Sequence, residues 1–486
     1  MNPPRVQLPT PEDIHNAFIR GEEAVTELFI SVIDKVRMLL SHTDQLREQL
    51  AKNSADSSKP PSGDGLKKKP RTGSLRKPGE KPDGGQPGHK GHYPEMADTP
   101  DRIVVHTVRT CGNCHASLKK ATVIGHDRRQ VSDIPPIRPE ITGHRIDILR
   151  CPKCGHHNKA EFPKEVSQPT QYGAGVKSHA VYFNVYHHIP LKRTALISEH
   201  ISDHRISEAA IAEACGICAS EVAPANEHIR KQLIMSDAVN SDETGIGVNK
   251  KLHWLTVASS PEFTCYHIHP KRGGQGLSDA GILPEFHGIG VRDHRKAYFG
   301  FPCGHGLCNA HHLRELKFVR EQYDQGWAKN LSDLLTEIYP EVRKVRPYQS
   351  RLPPEIIGES GSRYDLIINQ GLSVNPPSEK KEGRRGRTEQ SVPRNLPERL
   401  RIHKPETLRF MYDFRVPSDN NLAERDIRMM KVKQKVSGTF RTGKGADIFC
   451  RIRSYISAAQ KNACNIIHAI QRAFQGNPFM PITTAE

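Results

Sequence analysis

The sequence predicts a multidomain α/β protein. A mixed sheet flanked by helices and split by a helical insertion follows a coiled coil, a basic linker, a zinc ribbon and a helical region. Three observations predict this. A heptad pattern runs through residues 25–50. Two C-x2-C pairs follow it, separated by a 36-residue spacer. From residue 236 the apolar spacing changes from helical to short β-rich runs bounded by turn residues. A length of 486 residues suggests about three domains at ~150 residues each.

The heptad places Val25, Phe29, Val32, Val36, Leu39, Thr43, Leu46 and Leu50 on one seam, with Thr43 its polar member. An a/d seam of this length predicts a dimerising coiled coil over residues 1–51. An amphipathic helix packed on its own domain is the alternative. Residues 52–100 open as KNSADSSKPPSGDGLKKKPRTGSLRKPG. In 52–94, ten Lys/Arg stand against four Asp/Glu, and large apolar side chains almost vanish. Such a segment buries too little surface to offset its chain entropy, so a disordered linker is expected. It is also suited to non-specific contact with a phosphate backbone.

Net charge is +17 and the sequence pI about 9.4. This clustered excess points to a polyanionic partner, nucleic acid first; a basic protein without such a partner is the bland alternative. Mean hydropathy is −0.62, and no apolar run approaches the ~18 residues of a membrane span. The N-terminus lacks the basic and apolar regions of a signal peptide, so a cytoplasmic, nucleoid-associated protein is expected. The eleven cysteines, odd in number and partly paired in spacing, argue against a disulfide framework.

Residues 101–163 read as a zinc ribbon. RTCGNCHASL and RCPKCGHHNK present Cys111, Cys114, Cys151 and Cys154. A two-residue gap lets both thiolates of a knuckle reach one tetrahedral ion, and Gly112 and Gly155 permit the turn. ATVIGHDRRQVSDIP and ITGHRIDILR, within and ending the spacer, read as strands. Two redox pairs are the alternative to one structural Zn²⁺. Residues 164–235 read as helical and are expected to bind DNA; Cys215 and Cys218 lie in an Ala-rich helical pattern and read as core residues.

Residues 236–310 read as three strands joined by hairpins, the first turn at Asn249–Lys250. A helix near 275–284, a fourth strand in GIGVRDHRKAY and a possible fifth in HGLCNA follow. Residues 311–350 and 396–414 read as helices and 376–395 as disordered, so 311–415 is a helical insertion. The α/β domain resumes over 416–486, with helices at 420–432 and 445–475.

Three acids stand at places suited to convergence. Asp242 lies near the end of the first strand, Asp293 just past the fourth, and Glu424 in the first turn of a late helix. Their separations are 51 and 131 residues. Phosphoryl transfer on DNA requires charge neutralisation on the attacking and leaving oxygens, and two divalent ions held by a few carboxylates supply it. Each acid also has a plain reading. Asp242 suits a turn, and Asp293 suits pairing with Arg292 or Arg295. Glu424 suits a capping box with Asn421, or an i,i+4 pair with Arg428.

At these residues the chain resembles transposases of the insertion sequence 66 family, large-subunit type. NSADSSKPPSGDG with GGQPGHKGH resembles the family linker, and the two knuckles resemble its zinc-binding domain. SDETG and VRDHRKAY resemble its first two acidic motifs, and LCNAHHLREL its L-C-x-A-H-x-x-R-[DE]-L motif. VPSDNNLAERDIRMMKVKQKVSGTFRT and FCRIRSYISAAQKN resemble its C-terminal signature. Asn309 stands where that motif often has an aromatic residue, which weakens a stacking role.

The resemblance implies a ribonuclease-H-like catalytic domain whose triad falls on Asp242, Asp293 and Glu424, with Glu243 the lesser candidate ligand. It implies a DNA transposase that uses two Mg²⁺ ions to cut element ends and join their 3′-hydroxyls to target DNA. A catalytically silent, transposase-derived DNA-binding protein is the alternative. Arg425, Arg428, Lys431, Lys433, Lys435 and Arg441 are expected to line the DNA path. Cys308, His311 and Arg314 are expected to support the site, with Cys303, His305, Cys308 and His311 as a conceivable second metal set. The expected partners are double-stranded DNA, further copies of the chain in a dimer or larger assembly, and small accessory proteins of the same element.

Overall fold

The computed structural model describes residues 8–51, 95–378, 388 and 390–481. The expected linker therefore lies outside the described residues up to 94, as does half of the segment 376–395. Helix α1 (Pro11–Arg20) opens with a reciprocal capping box, in which Thr10 Oγ1 accepts the Asp13 N–H and Asp13 accepts the Thr10 N–H. Gly21, at φ 99°, turns the chain into α2 (Glu22–Ala51). The heptad helix forms as expected, and its seam residues Phe29 and Val36 are exposed on the single chain. Heptad positions Leu46 and Leu50 lie outside the described side chains.

In the 101–163 segment the short strands β1 (Ile148–Arg150) and β2 (His157–Lys159) form an antiparallel hairpin around the second knuckle. The expected strand over ATVIGHDRRQVSDIP does not form. That run finds no neighbouring strand to bond with, and its Ile124 and Val131 are fully exposed. β-propensity without a partner leaves the backbone to water.

Helices α3 (Ala174–Val181), α4 (Leu191–Ser202), α5 (Glu208–Glu221) and α6 (Ala223–Met235) follow, with a π-helical turn at Tyr182–Tyr186. Cys215 and Cys218 are buried on α5, as their apolar surroundings suggested. They share one hydrophobic cluster with the sheet, so this region packs on the α/β domain.

The sheet contains β3 (Ala238–Val248), β4 (Lys251–Ser259), β5 (Thr264–His269), β6 (Ile289–Arg292) and β7 (Gly304–Leu307). Its order is β5-β4-β3-β6-β7; β3, β4 and β5 are antiparallel, and β6 and β7 join parallel. Asn249 and Lys250, both at positive φ, make the β3–β4 turn, whose twist matches that of the strands. The helix α7 (Gly274–Asp279) lies in the β5–β6 crossover and is shorter than the 275–284 expected.

The insertion comprises α8 (Asn309–Tyr323), α9 (Gly326–Val345), α10 (Pro354–Val374), α11 (Val392–Ile402), α12 (Lys404–Thr407) and α13 (Arg409–Tyr412). It has its own core, built on Trp327, Leu331, Leu335, Tyr364 and Leu400. Residue 371 of α10 must be Gly, because a Cβ there would meet the Trp327 ring at 2.8 Å. Two expectations change here. Helix α10 was not anticipated, although Pro354 and the Ile356, Ile357, Tyr364, Ile367, Ile368 spacing signal it. Helix α11 begins at Val392, inside the segment expected to be disordered, because Pro393, Leu396 and Leu400 bury one face in the same core.

The chain then returns to the sheet with α14 (Asn421–Ser437), α15 (Gly443–Lys461) and α16 (Ile466–Phe474). Ile246, Val248, Leu255 and Val257 pack against Ala423, Ile427, Met430 and Phe449 in one cluster. Asp242 shares strand parity with Ile246 and Val248, so it stands on the face that α14 covers.

Candidate active site and zinc-binding knuckles

Sheet register brings the first two acids together. In the parallel pair, Asn240 of β3 lies opposite Val291 of β6. Two residues further along each strand direction come Asp242 and Asp293, so both carboxylates leave neighbouring strands at one level. The third acid arrives on α14, and the link is specific. Asn240 Nδ2 donates to Asn420 Oδ1 at 2.9 Å, and Asn420 Nδ2 donates to the Ser241 carbonyl at 2.9 Å. Both asparagines are buried. They staple the start of α14 to the residues just before Asp242. Asn420 is the N-cap of α14 but makes no side-chain cap bond. The capping box expected of Asn421 and Glu424 is absent, because Asn421 is already inside the helix.

On its far side α14 is locked by Asp426. That carboxylate accepts from Ser259 Oγ at 2.7 Å and Thr264 Oγ1 at 3.1 Å, and pairs with Lys461 Nζ at 3.0 Å. Neither Asn420 nor Asp426 was singled out by sequence reasoning. The only signal available was their presence within the SDNNLAERD run.

Glu424 faces α8. Its Oε1 lies 3.5 Å from Arg314 and 3.5 Å from His311 Nδ1. An ion pair with Arg428 does not form. Cys308 is buried at the N-cap of α8, and its sulfur accepts the Asn420 N–H at 3.1 Å. Asn309, in the place where an aromatic was anticipated, is a buried anchor: its Nδ2 donates to the Thr407 carbonyl and its N–H to the Ser418 carbonyl, both at 3.0 Å. Cys303 and His305 lie apart, around the buried guanidinium of Arg292. The four-residue metal set Cys303, His305, Cys308 and His311 is therefore split into two pairs by opposite ends of β7, and is not assembled.

The acids feel one another, and Asp242 and Asp293, unlike Glu424, form no ion pair among the described residues. Burial, with the charges of Asp293, Glu424 and Glu243, pushes the Asp242 carboxyl up to about 7, against one backbone N–H bond from Glu243. Burial and the Glu243 charge push Asp293 up to about 6. The nearby arginines are engaged elsewhere. Arg295 and Arg272 pair with Glu243 at 2.6 and 3.3 Å, and Arg272 lies 3.9 Å over the Trp254 ring. Arg292 turns into the core toward Tyr298. Glu243 is thus a counter-ion for two arginines. Asp242 and Asp293 are half-buried hard oxygen donors with no cation of their own, a donor set that fits Mg²⁺.

Of the basic residues expected along the DNA path, Arg425, Arg428, Lys435 and Arg441 are exposed, and Lys431 is half-buried with its amine on the Gly245 carbonyl. Lys433 is a correction. It is buried, its Nζ donates to the Gly438 carbonyl, and it lies 4.0 Å over the Phe440 ring. Three residues after Met430, it continues the buried Ala423–Ile427–Met430 stripe, which the 3.6 period dictates.

The two knuckles fold alike. The Cys111 N–H donates to the Ala116 carbonyl and the Cys151 N–H to the His156 carbonyl. The left-handed residue falls just after the second cysteine, at His115 (φ 58°) and Gly155 (φ 75°). Gly112 does not take that role. Backbone N–H groups of Cys114 and Asn113 lower the Cys111 thiol, and those of Cys154 and Lys153 lower Cys151. That donor chemistry fits a zinc thiolate at each knuckle. The four sulfurs are not gathered within 4.8 Å of one another, a spacing reached among the described residues by Cys308, His311 and Glu424.

The model of the Transposase IS66 family matches residues 169–448, more than half of the chain and all three acids. The chain belongs to the IS66 family of transposases. The zinc-finger binding domain of transposase IS66 matches residues 109–155 of this transposase, which span the four knuckle cysteines and support a zinc ion there. A family of unknown function matches residues 7–95. A comparison with curated proteins finds no match. The transposase match takes in α3 to α14, in line with the core that α5 and α14 share with the sheet, and it covers the whole insertion. No helix among the described residues is long and apolar enough to cross a membrane.

Proposed function

We propose that this transposase cuts DNA at the ends of its element and joins the freed 3′-hydroxyls to target DNA. Its catalytic domain is read as ribonuclease-H-like, with Asp242, Asp293 and Glu424 as the metal-holding acids. The observation that carries the reading is the parallel β3–β6 register together with the Asn240–Asn420 staple. The register sets two acids side by side, and the staple brings the third one's helix to the same strand.

These three residues would hold two Mg²⁺ ions, which supply charge neutralisation on the attacking and leaving oxygens and acidify a bound water. The protein's own part is placement. Burial and the neighbouring acids hold the Asp242 and Asp293 carboxyls above the ordinary range, a strain that a cation held between them would relieve. Arg295 and Arg272, fixed by Glu243, stand ready to orient a phosphate without competing for the acids. Arg425, Arg428, Lys435 and Arg441 offer exposed charge to the DNA backbone. Cys111, Cys114, Cys151 and Cys154 would hold one structural Zn²⁺. The helices of 164–235 would contribute to DNA binding, and the exposed seam of α2 would pair copies so that two ends are joined together. Small accessory proteins of the element complete the expected assembly.

The test is Mg²⁺-dependent nicking of DNA carrying the inverted repeats that flank the gene, wild type against Asp242→Asn. Nicking and strand joining by wild type alone support the reading. Equal behaviour of the two proteins overturns it in favour of a silent DNA-binding protein.

A further inference from the structure

Glu424 faces a second donor set, unlike the first. Cys308 Sγ, a His311 ring nitrogen and a Glu424 carboxylate oxygen all lie within 4.8 Å of one another. Cys308 and His311 are one turn apart at the start of α8, and Glu424 comes from α14, so two helices more than 100 residues apart in sequence supply the three ligands.

The sulfur is prepared for negative charge. It accepts the Asn420 N–H at 3.1 Å. It also sits at a helix N-terminus, where the peptide dipoles favour a thiolate. A bound cation would complete that preparation, since metal coordination deprotonates a thiol outright.

The imidazole raises the same demand. His311 Nδ1 is buried without a hydrogen-bond partner, although Glu424 Oε1 lies 3.5 Å away. The ring nitrogen and the carboxylate oxygen face each other outside hydrogen-bond geometry, and a cation shared by both would satisfy each.

We propose that Cys308, His311 and Glu424 form a second metal site, which takes a thiophilic divalent cation of the Zn²⁺ class and draws Glu424 away from Asp242 and Asp293. One thiolate, one imidazole and one carboxylate suit Zn²⁺ and disfavour Mg²⁺. Three protein ligands leave a fourth position to solvent. The site is separate from the knuckles and shares no cysteine with them. Its binding stands on these contacts alone; the competition for Glu424 rests on the proposed nuclease reading.

The experiment counts Zn²⁺ bound per full-length chain after equilibrium dialysis. Wild type should hold one equivalent more than Cys308→Ser and one more than His311→Ala, with circular dichroism showing that each variant keeps its helices. In a chain whose four knuckle cysteines are changed to Ser, Co²⁺ should still give a thiolate-to-cobalt charge-transfer band, and adding Cys308→Ser should abolish it. Equal stoichiometry in wild type and both variants, or no band, overturns the site. If Cys308→Ser loses its helices, His311→Ala decides the count. Asp242→Asn should bind the same Zn²⁺ as wild type while losing Mg²⁺-dependent nicking, so failure of the nuclease reading leaves the binding result intact. Where wild type nicks DNA, added Zn²⁺ should inhibit it more strongly than it inhibits His311→Ala. Equal inhibition overturns the competition.

Discussion

Replacing Asp242 by Asn should stabilise the metal-free protein and remove its response to Mg²⁺. Burial, reinforced by the neighbouring acids, moves this carboxyl from the ordinary 3.8 to about 7. That interval is about three tenfold steps at ~1.4 kcal/mol each, so the ionised side chain destabilises the fold by roughly 4 kcal/mol as an upper figure. Asp293 shares the same field, and the site can relax, so about 2 kcal/mol is expected. The folded acid binds its proton more tightly than the unfolded one. Stability from this group is therefore full below about pH 4, declines as pH rises toward about 7, and stays low above that. Asn has no such decline. Thermal unfolding from about pH 5 to pH 9 without metal should show the variant melting roughly 5 °C higher at the alkaline end. Mg²⁺ should raise the wild-type midpoint by mass action and leave the variant unmoved. A variant less stable than wild type at about pH 8 without metal, or one that keeps the full Mg²⁺ response, would refute the argument.

Four other outcomes are expected. Asn420→Ala removes the buried staple and should cost roughly 2–3 kcal/mol in urea unfolding, while lowering nicking more than DNA affinity. Arg428→Ala should reduce the salt slope of DNA binding by about one, measured by fluorescence anisotropy across salt, whereas Lys433→Met should leave the slope unchanged. Cys151→Ser, or a strong chelator, should remove the knuckle zinc from the metal count and expose the 101–163 segment to protease, with the α/β domain unaffected. Phe29→Asp should lower the mass seen by light scattering without shifting the main unfolding transition, because the seam of α2 is exposed and lies outside the core clusters.

Much of the candidate site was legible along the chain. Asp242, Asp293 and Glu424 stood out by motif, and strand alternation with two parallel partners is enough to set the first two side by side. The fate of Lys433 was legible as well: it sits in phase with Ala423, Ile427 and Met430, and the helical period buries it. Pro354 and its apolar spacing marked α10. The roles of Asn240, Asn420 and Asp426 were not legible, because each depends on a partner more than 30 residues away. Polar side chains at helix starts read first as caps. Asn420 instead spends its amide on a strand, a choice set by the packing of α14 against the sheet.

By itself, the sequence determined the chain's local chemistry: basic charge, two thiolate knuckles, a heptad helix, alternating strands and three acids in recognisable runs. These follow from spacing and side-chain type, which need no distant partner. Only the tertiary structure decided which charges are spent. It committed Arg272 and Arg295 to Glu243, left Asp242 and Asp293 without cations, and separated Cys303 and His305 from Cys308 and His311. It also brought Glu424 to a thiol and an imidazole 116 and 113 residues upstream. Long-range electrostatic pairing is a matter of distances of a few ångströms between elements, and those distances exist only once the sheet register and helix packing are fixed.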